Sequence, residues 1–210
     1  MTGYRKNFTS MTVIPYDQVR TEIVHKTAHL LLGNGFSIGC DPVFQYDSLY
    51  TQAVKAGLRK RIQSLFQKHG TNNFEGVMRL LNDSHWVAKE YELISEDNSE
   101  ILNDKEIIKK ALISAVAKTH LDDASTILPS KKRLASSFLQ DYQSVFTTNY
   151  DLLLYWMVMD SGRNTFQDGF RNDPDDSSSL IFSVPPGKNK GIYYLHGALH
   201  LFYEDGEVRK

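Results

Sequence analysis

The chain has 210 residues, 41% of them hydrophobic and 23% charged, with a formal net charge of −1. That is enough chain for one sizeable core or two small ones, with no apolar run of bilayer-spanning length and no basic field to gather nucleic acid. The single cysteine, Cys40, excludes an internal disulfide and a Cys-x-x-Cys metal knuckle. A cytoplasmic protein without membrane or direct nucleic-acid contacts is the simplest expectation.

Residues 1–13 are expected to form a flexible N-terminus, because Met1 to Thr12 is polar and lacks the apolar core of a secretory signal. Ile14-Pro15-Tyr16 opens a short helix through about Lys26, with Val19, Ile23 and Val24 as its apolar stripe. His25 and His29 are four apart, but the chain turns into a strand between them and no third ligand has suitable spacing, so no metal is expected. Leu30-Leu31-Leu32, bounded by Gly33, suits a strand buried on both faces of a parallel sheet. Gly33-Asn34-Gly35-Phe36-Ser37 then lets the chain turn sharply into a helix starting at about Phe36, whose free N–H groups would face a phosphate. An ordinary strand-to-helix turn is the alternative reading of this stretch.

Cys40 to Tyr46 is a loop that either folds over a ligand or is pinned in the core by Phe44. With no adjacent His or Lys, Cys40 reads as a small buried thiol and not a nucleophile. From Tyr46 to about His120 the spacing predicts helices nearly throughout. Gly57 interrupts one stripe (Leu49, Ala53, Val54, Leu58, Ile62, Leu65, Phe66), Gly70 ends a helix and Asn73 starts the next. Ser95 to Glu100 reads as a loop, Asp104 as a helix cap, and Arg59-Lys60-Arg61 as a solvated face. This block is expected to be a helical insertion of about residues 46–120 that carries no chemistry.

Pro129 and Ser130 open a helix to about Gln140 bearing Leu134, Phe138 and Leu139. Ser144-Val145-Phe146 reads as a second buried strand and Leu152 to Trp156 as a helix, which puts Thr147, Thr148, Asn149 and Asp151 at the strand's C-terminal end. Open α/β sheets bind ligands at that edge. Ser161 to Ser179 is expected to loop around the anchors Phe166 and Phe170, and Pro185-Pro186-Gly187 punctuates again. Gly191 to Leu195 is a third strand running into His196-Gly197, and Asp205-Gly206 marks a hairpin turn. An imidazole at a strand end suits acid–base work, although His196 taken alone reads more readily as a structural histidine.

Gly-Asn-Gly-Phe-Ser, Thr-Thr-Asn-Tyr-Asp and Leu-His-Gly occur in this order, each after a strand. Together they resemble the Sir2-like family of NAD-consuming domains, above all its bacterial defence-type members, over about Ile14 to Phe202. The resemblance implies an α/β, Rossmann-like parallel sheet with a large helical insertion across residues 14–210. By position it assigns Gly33, Asn34, Gly35, Phe36 and Ser37 to the NAD phosphates and adjoining ribose, with Thr147 and Thr148 beside the cofactor. Asn149 would hold the nicotinamide ribose and order the attacking group, Asp151 would bind the nicotinamide amide, and His196 would act as general base on a ribose hydroxyl. NAD would be the substrate, cleaved to nicotinamide and ADP-ribose in anti-phage defence, with a homo-oligomer or a regulatory protein as possible partners.

Two departures bear on the acceptor. One cysteine cannot build the four-cysteine zinc module of the family's deacylases, and Thr-Thr-Asn-Tyr-Asp replaces their Thr-Gln-Asn-Ile-Asp. Both weigh toward a hydrolase over an ADP-ribosyltransferase or deacylase, while a module that senses NAD without cleaving it stays open. The family pattern also continues past the histidine with a glycine-serine turn for the adenosine side. None follows His196 here, so the domain is expected to be incomplete at its C-terminus.

Overall fold

The computed structural model describes residues 13–24, 26–94, 100–119, 124–160, 166–176, 179–183 and 190–210. The N-terminal stretch 1–12, His25, the acidic residues 95–99 and the Pro185-Pro186-Gly187 punctuation lie outside them. The described residues form a mixed α/β structure with eight α-helices and two sheets.

The central sheet is parallel, in the order β1 (His29–Leu32), β2 (Ser144–Thr147), β5 (Gly191–Tyr194). Leu32, Thr147 and Tyr194 share one row of the register. The residues that follow these strands therefore emerge side by side at one edge, and the ladder runs one step further through Thr148 N–H to the Leu32 carbonyl (3.1 Å) and Leu195 N–H to the Thr147 carbonyl (2.9 Å).

One face of this sheet is core, with Leu32, Val145, Thr147 and Ile192 buried. The other carries Leu31, Phe146 and Tyr193 in a row, with Phe146 stacked on Tyr193 at 4.8 Å. The expectation of a first strand buried on both faces is corrected here. β1 is an edge strand, and Leu31 is 66% exposed.

Between β1 and β2 run α2 (Asn34–Cys40), α3 (Tyr46–Lys55), α4 (Lys60–His69), α5 (Phe74–Glu90), α6 (Glu100–Thr119) and α7 (Pro129–Gln140). Gly57 (φ +94°) separates α3 from α4, and Gly70 (φ +68°) closes α4 in the left-handed conformation that glycine adopts without a Cβ clash. Asn73 caps α5 by accepting the Gly76 N–H at 3.1 Å. Asp104 is not the cap it was expected to be. It lies inside α6, buried, and takes two hydrogen-bonding contacts from Arg61 at 2.8 and 2.9 Å. Arg59, Lys60 and Arg61 are all exposed, the solvated face that was expected, and Arg61 reaches Asp104 from that face. One continuous buried cluster runs from Leu32, Val145 and Ile192 of the sheet through Phe66, Phe74, Val77 and Leu112 of the helices.

α1 (Tyr16–Ile23) leans on the α7 end through Arg20 and Asp141, at 2.8 Å. After β2, α8 (Leu153–Asp160) packs Leu153 and Met157 into the core. Phe166 and Phe170 are buried anchors, as their loop required. They introduce a second, antiparallel sheet of β3 (Phe170–Asn172), β4 (Leu180–Phe182), β7 (Glu207–Arg209) and β6 (Phe202–Glu204). Asp205 and Gly206, both at positive φ, make the hairpin turn between β6 and β7. No helix among the described residues is long and apolar enough to cross a membrane.

Candidate functional site

The shared edge of the parallel sheet opens into a cleft of about 270 Å³. On the sheet side its wall is Gly33 and Asn34 after β1, Thr148 to Asp151 after β2, and His196 after β5. Stretches separated by more than a hundred positions in sequence meet here because the strands are parallel and in register.

Asn149 is the tie between the first two. Its side-chain nitrogen donates to the Gly33 carbonyl at 3.0 Å and to Ser37 Oγ at 2.8 Å, while its backbone N–H donates to Thr147 Oγ1 at 3.1 Å. Neither side-chain bond uses the amide oxygen. Ser37 Oγ in turn donates to Asp151 Oδ2 at 2.5 Å, and Asp151 Oδ1 accepts the Leu153 N–H at 3.0 Å, capping α8. The loop after β2 is thus clamped to the start of α2 by side chains.

His196 lies past the end of β5 on a turn made by Gly197, whose φ of +79° favours glycine. Two residues beyond, Leu199 N–H donates to the Tyr150 carbonyl at 2.8 Å, which brings this turn against the β2 loop. The His196 ring is 6.1 Å from that of Tyr150 and is solvent-exposed.

Not every residue assigned from sequence faces the cleft. Ser37 is fully buried and Thr147 is 1% exposed, so both act through Asn149 and not by touching a ligand. Asp151 borders the cleft, but each carboxylate oxygen is bonded within the protein. Gly35 and Phe36 line a different groove, with Cys40, Lys131 and Phe138, on the α7 side. The helix also starts earlier than Phe36, at Asn34, and Gly33 has ordinary extended dihedrals (φ −117°, ψ −170°). The glycine is not needed for the turn. A Cβ at Gly33 would meet nothing within 4 Å, so what its absence keeps clear is space beside the cleft. Burial, with the Asp151 charge, pushes the Cys40 thiol up to about 11 against a smaller opposing pull from Lys131, which fits a packed thiol.

The opposite wall comes from the helical block, where no chemistry was expected. Phe44, Tyr46, Leu49, Asn73, Glu75, Leu112 and Val116 supply it. Glu75 is the charged member, in the first turn of α5, and its Oε2 is buried without a hydrogen-bond partner. Burial raises the Tyr46 and Tyr150 hydroxyls above the usual tyrosine value, the Glu75 charge adds to both shifts, and a hydrogen bond to the Glu75 carboxylate adds to that of Tyr46. An acid in a first helical turn looks like ordinary dipole compensation in sequence, so nothing there singled it out. Among the described residues, no group of three His, Cys, Asp or Glu side chains is placed to hold a metal.

Comparison with known proteins adds a family without adding an activity. The chain has no match among curated proteins. Residues 30–210 match the family described as Domain of unknown function (DUF4917), and the chain belongs to that family.

Proposed function

We propose that this protein is an NAD hydrolase built on a Rossmann-like dinucleotide-binding sheet, which cleaves the nicotinamide–ribose bond. The supporting observation is that residues of all three Sir2-like motifs, Gly33 and Asn34, Thr148 to Asp151, and His196, line one cleft, with Asn149 tied to the glycine turn. At about 270 Å³ the cleft falls just below the about 300–1,000 Å³ of ligand pockets, and suits one half of a dinucleotide.

In this reading Gly33 and Asn34 lie against the phosphate side and the Asn149 amide oxygen takes a hydroxyl of the nicotinamide ribose. The bond from ribose C1′ to the nicotinamide nitrogen breaks and its electron pair goes to the ring, which leaves neutral. Water bonds to C1′ and gives up a proton, which passes to His196 by way of the ribose hydroxyl on which His196 acts as general base. The protein's work is orientation in a partly dry cleft. Depletion of NAD in bacterial anti-phage defence is the proposed setting, with self-association or a regulatory protein as the control; both rest on the motif resemblance alone.

The test is nicotinamide release from NAD by the purified protein and by His196→Ala. The wild type is expected to release nicotinamide and ADP-ribose. Because His196 is exposed, the variant should melt like the wild type and lose about a hundredfold to ten-thousandfold in rate. NAD bound but never cleaved would replace the hydrolase with a sensing module, and ADP-ribose found on protein would make it a transferase.

A further inference from the structure

Glu75 has one carboxylate oxygen, Oε2, buried with no hydrogen-bond partner, and the residue lines the same cleft as Asn149, Tyr150 and His196. A buried carboxylate oxygen that has given up water without gaining a donor is costly, more so than a neutral group left in the same position. Its position is not a loose one. Phe74 on one side and Val77 two residues on are fully buried, and Asn73 caps the same turn through Gly76. The helix start favours the negative charge, but no backbone N–H of that turn satisfies Oε2. Tyr46, on the same wall, hydrogen-bonds the Glu75 carboxylate, and the Glu75 charge adds to the rise that burial gives the Tyr46 and Tyr150 hydroxyls, so Oε2 is the oxygen left without a donor.

We infer that Glu75 touches the substrate, its carboxylate facing the positively charged nicotinamide end and accepting a hydroxyl of the ribose that bears it. This rests on the NAD reading of the cleft and deepens it. NAD carries a positive charge on the nicotinamide ring, and as the bond to C1′ breaks that charge passes to the ribose. A fixed carboxylate in a water-poor cleft stabilises both states, and the second more if it lies nearer the ribose. NADH has the same shape without the ring charge, and ADP-ribose has the ribose without the ring, so the three ligands separate charge from shape.

The experiment uses the full chain as wild type, Glu75→Gln and Glu75→Asp. Binding of NAD, NADH and ADP-ribose is measured by calorimetry, nicotinamide release by chromatography, and folding by thermal melts. The wild type should bind NAD about tenfold or more tighter than NADH. Glu75→Gln should lose that preference, keep ADP-ribose binding, melt at or above the wild-type temperature, and release nicotinamide about a hundredfold more slowly. Glu75→Asp should recover part of both the preference and the rate. A Glu75→Gln protein that retains the NAD preference or the wild-type rate overturns the role of Glu75 and leaves the hydrolase reading intact. A wild type that prefers NAD but releases no nicotinamide overturns the hydrolase reading, and the loss or retention of preference in Glu75→Gln still decides for or against Glu75. A wild type that binds neither dinucleotide overturns both.

Discussion

Ser37→Ala removes a hydroxyl that no solvent reaches and that joins two parts of the site. Its Oγ donates to Asp151 Oδ2 at 2.5 Å and accepts from the Asn149 side chain at 2.8 Å. A hydrogen bond to a charged group contributes about 1.5–3 kcal/mol and a neutral one about 0.5–1.5 kcal/mol. Their joint loss should cost about 2–4 kcal/mol out of a total stability of about 5–15 kcal/mol. In a chain of this size that lowers the melting temperature by about 5–15 °C. Urea and thermal melts of the wild type, Ser37→Ala, Asp151→Asn and the double variant measure it. The double variant should be less destabilised than the sum of the singles by about 1 kcal/mol or more, because both singles break the same bond. NAD turnover should fall alongside, since the Asn149 side chain keeps only its bond to the Gly33 carbonyl. A Ser37→Ala protein within about 0.5 kcal/mol of wild type, or strictly additive energies, would refute the clamp.

Gly33→Val puts a side chain where a Cβ has nothing within 4 Å and where the backbone is already extended. The protein should fold with a stability change within about 0.5 kcal/mol and lose about tenfold or more in NAD affinity by calorimetry; unchanged affinity would remove Gly33 from the site. His200 sits against Tyr155 and Tyr194 with neither ring nitrogen bonded, and burial, helped by the Lys210 charge and opposed by Asp168, pulls its pKa down to about 4. The unfolded chain then takes up the proton first, so the stability present above about pH 6.5 is lost as pH falls toward about 4. Melting temperatures of His200→Phe should fall less steeply than wild type across that window, and parallel curves would refute the assignment.

Local chemistry was legible where one residue type answers one backbone need. Gly70 at a left-handed helix end, Asn73 as a cap and Asp205-Gly206 as a hairpin turn all stand where the sequence places them. Burial and pairing across the fold were not. Three consecutive leucines look like a central strand, but whether Leu31 is covered depends on strand order, and β1 falls at the edge. Arg61 and Asp104 are 43 positions apart, and no spacing rule links a surface-looking basic cluster to an acid inside another helix. The strands of the second sheet are three residues long, too short for an alternating pattern to stand out. At the site, the motif positions were visible, but which of them face outward was not. Ser37 and Phe36 are neighbours in the motif, and the helix turns one into the core and the other toward α7.

The two walls of the cleft have different physical origins, and this bears on how the site works. The sheet wall is set by register, because three loops leave one row of parallel strands and side-chain bonds then clamp them. The helical wall is set by packing. Phe74 contacts Phe66 edge-on at 5.1 Å, and both belong to the cluster that also holds Val145 and Ile192 of the sheet. Glu75 is therefore placed by the hydrophobic core itself and not by a flexible loop. Interiors are close-packed, so a shift of α5 cannot be absorbed locally and must move the carboxylate relative to Asn149 and His196. The helical block then does more than cover the sheet. It carries an acid with one oxygen unbonded, whereas the acid of the sheet edge, Asp151, has both oxygens bonded within the protein.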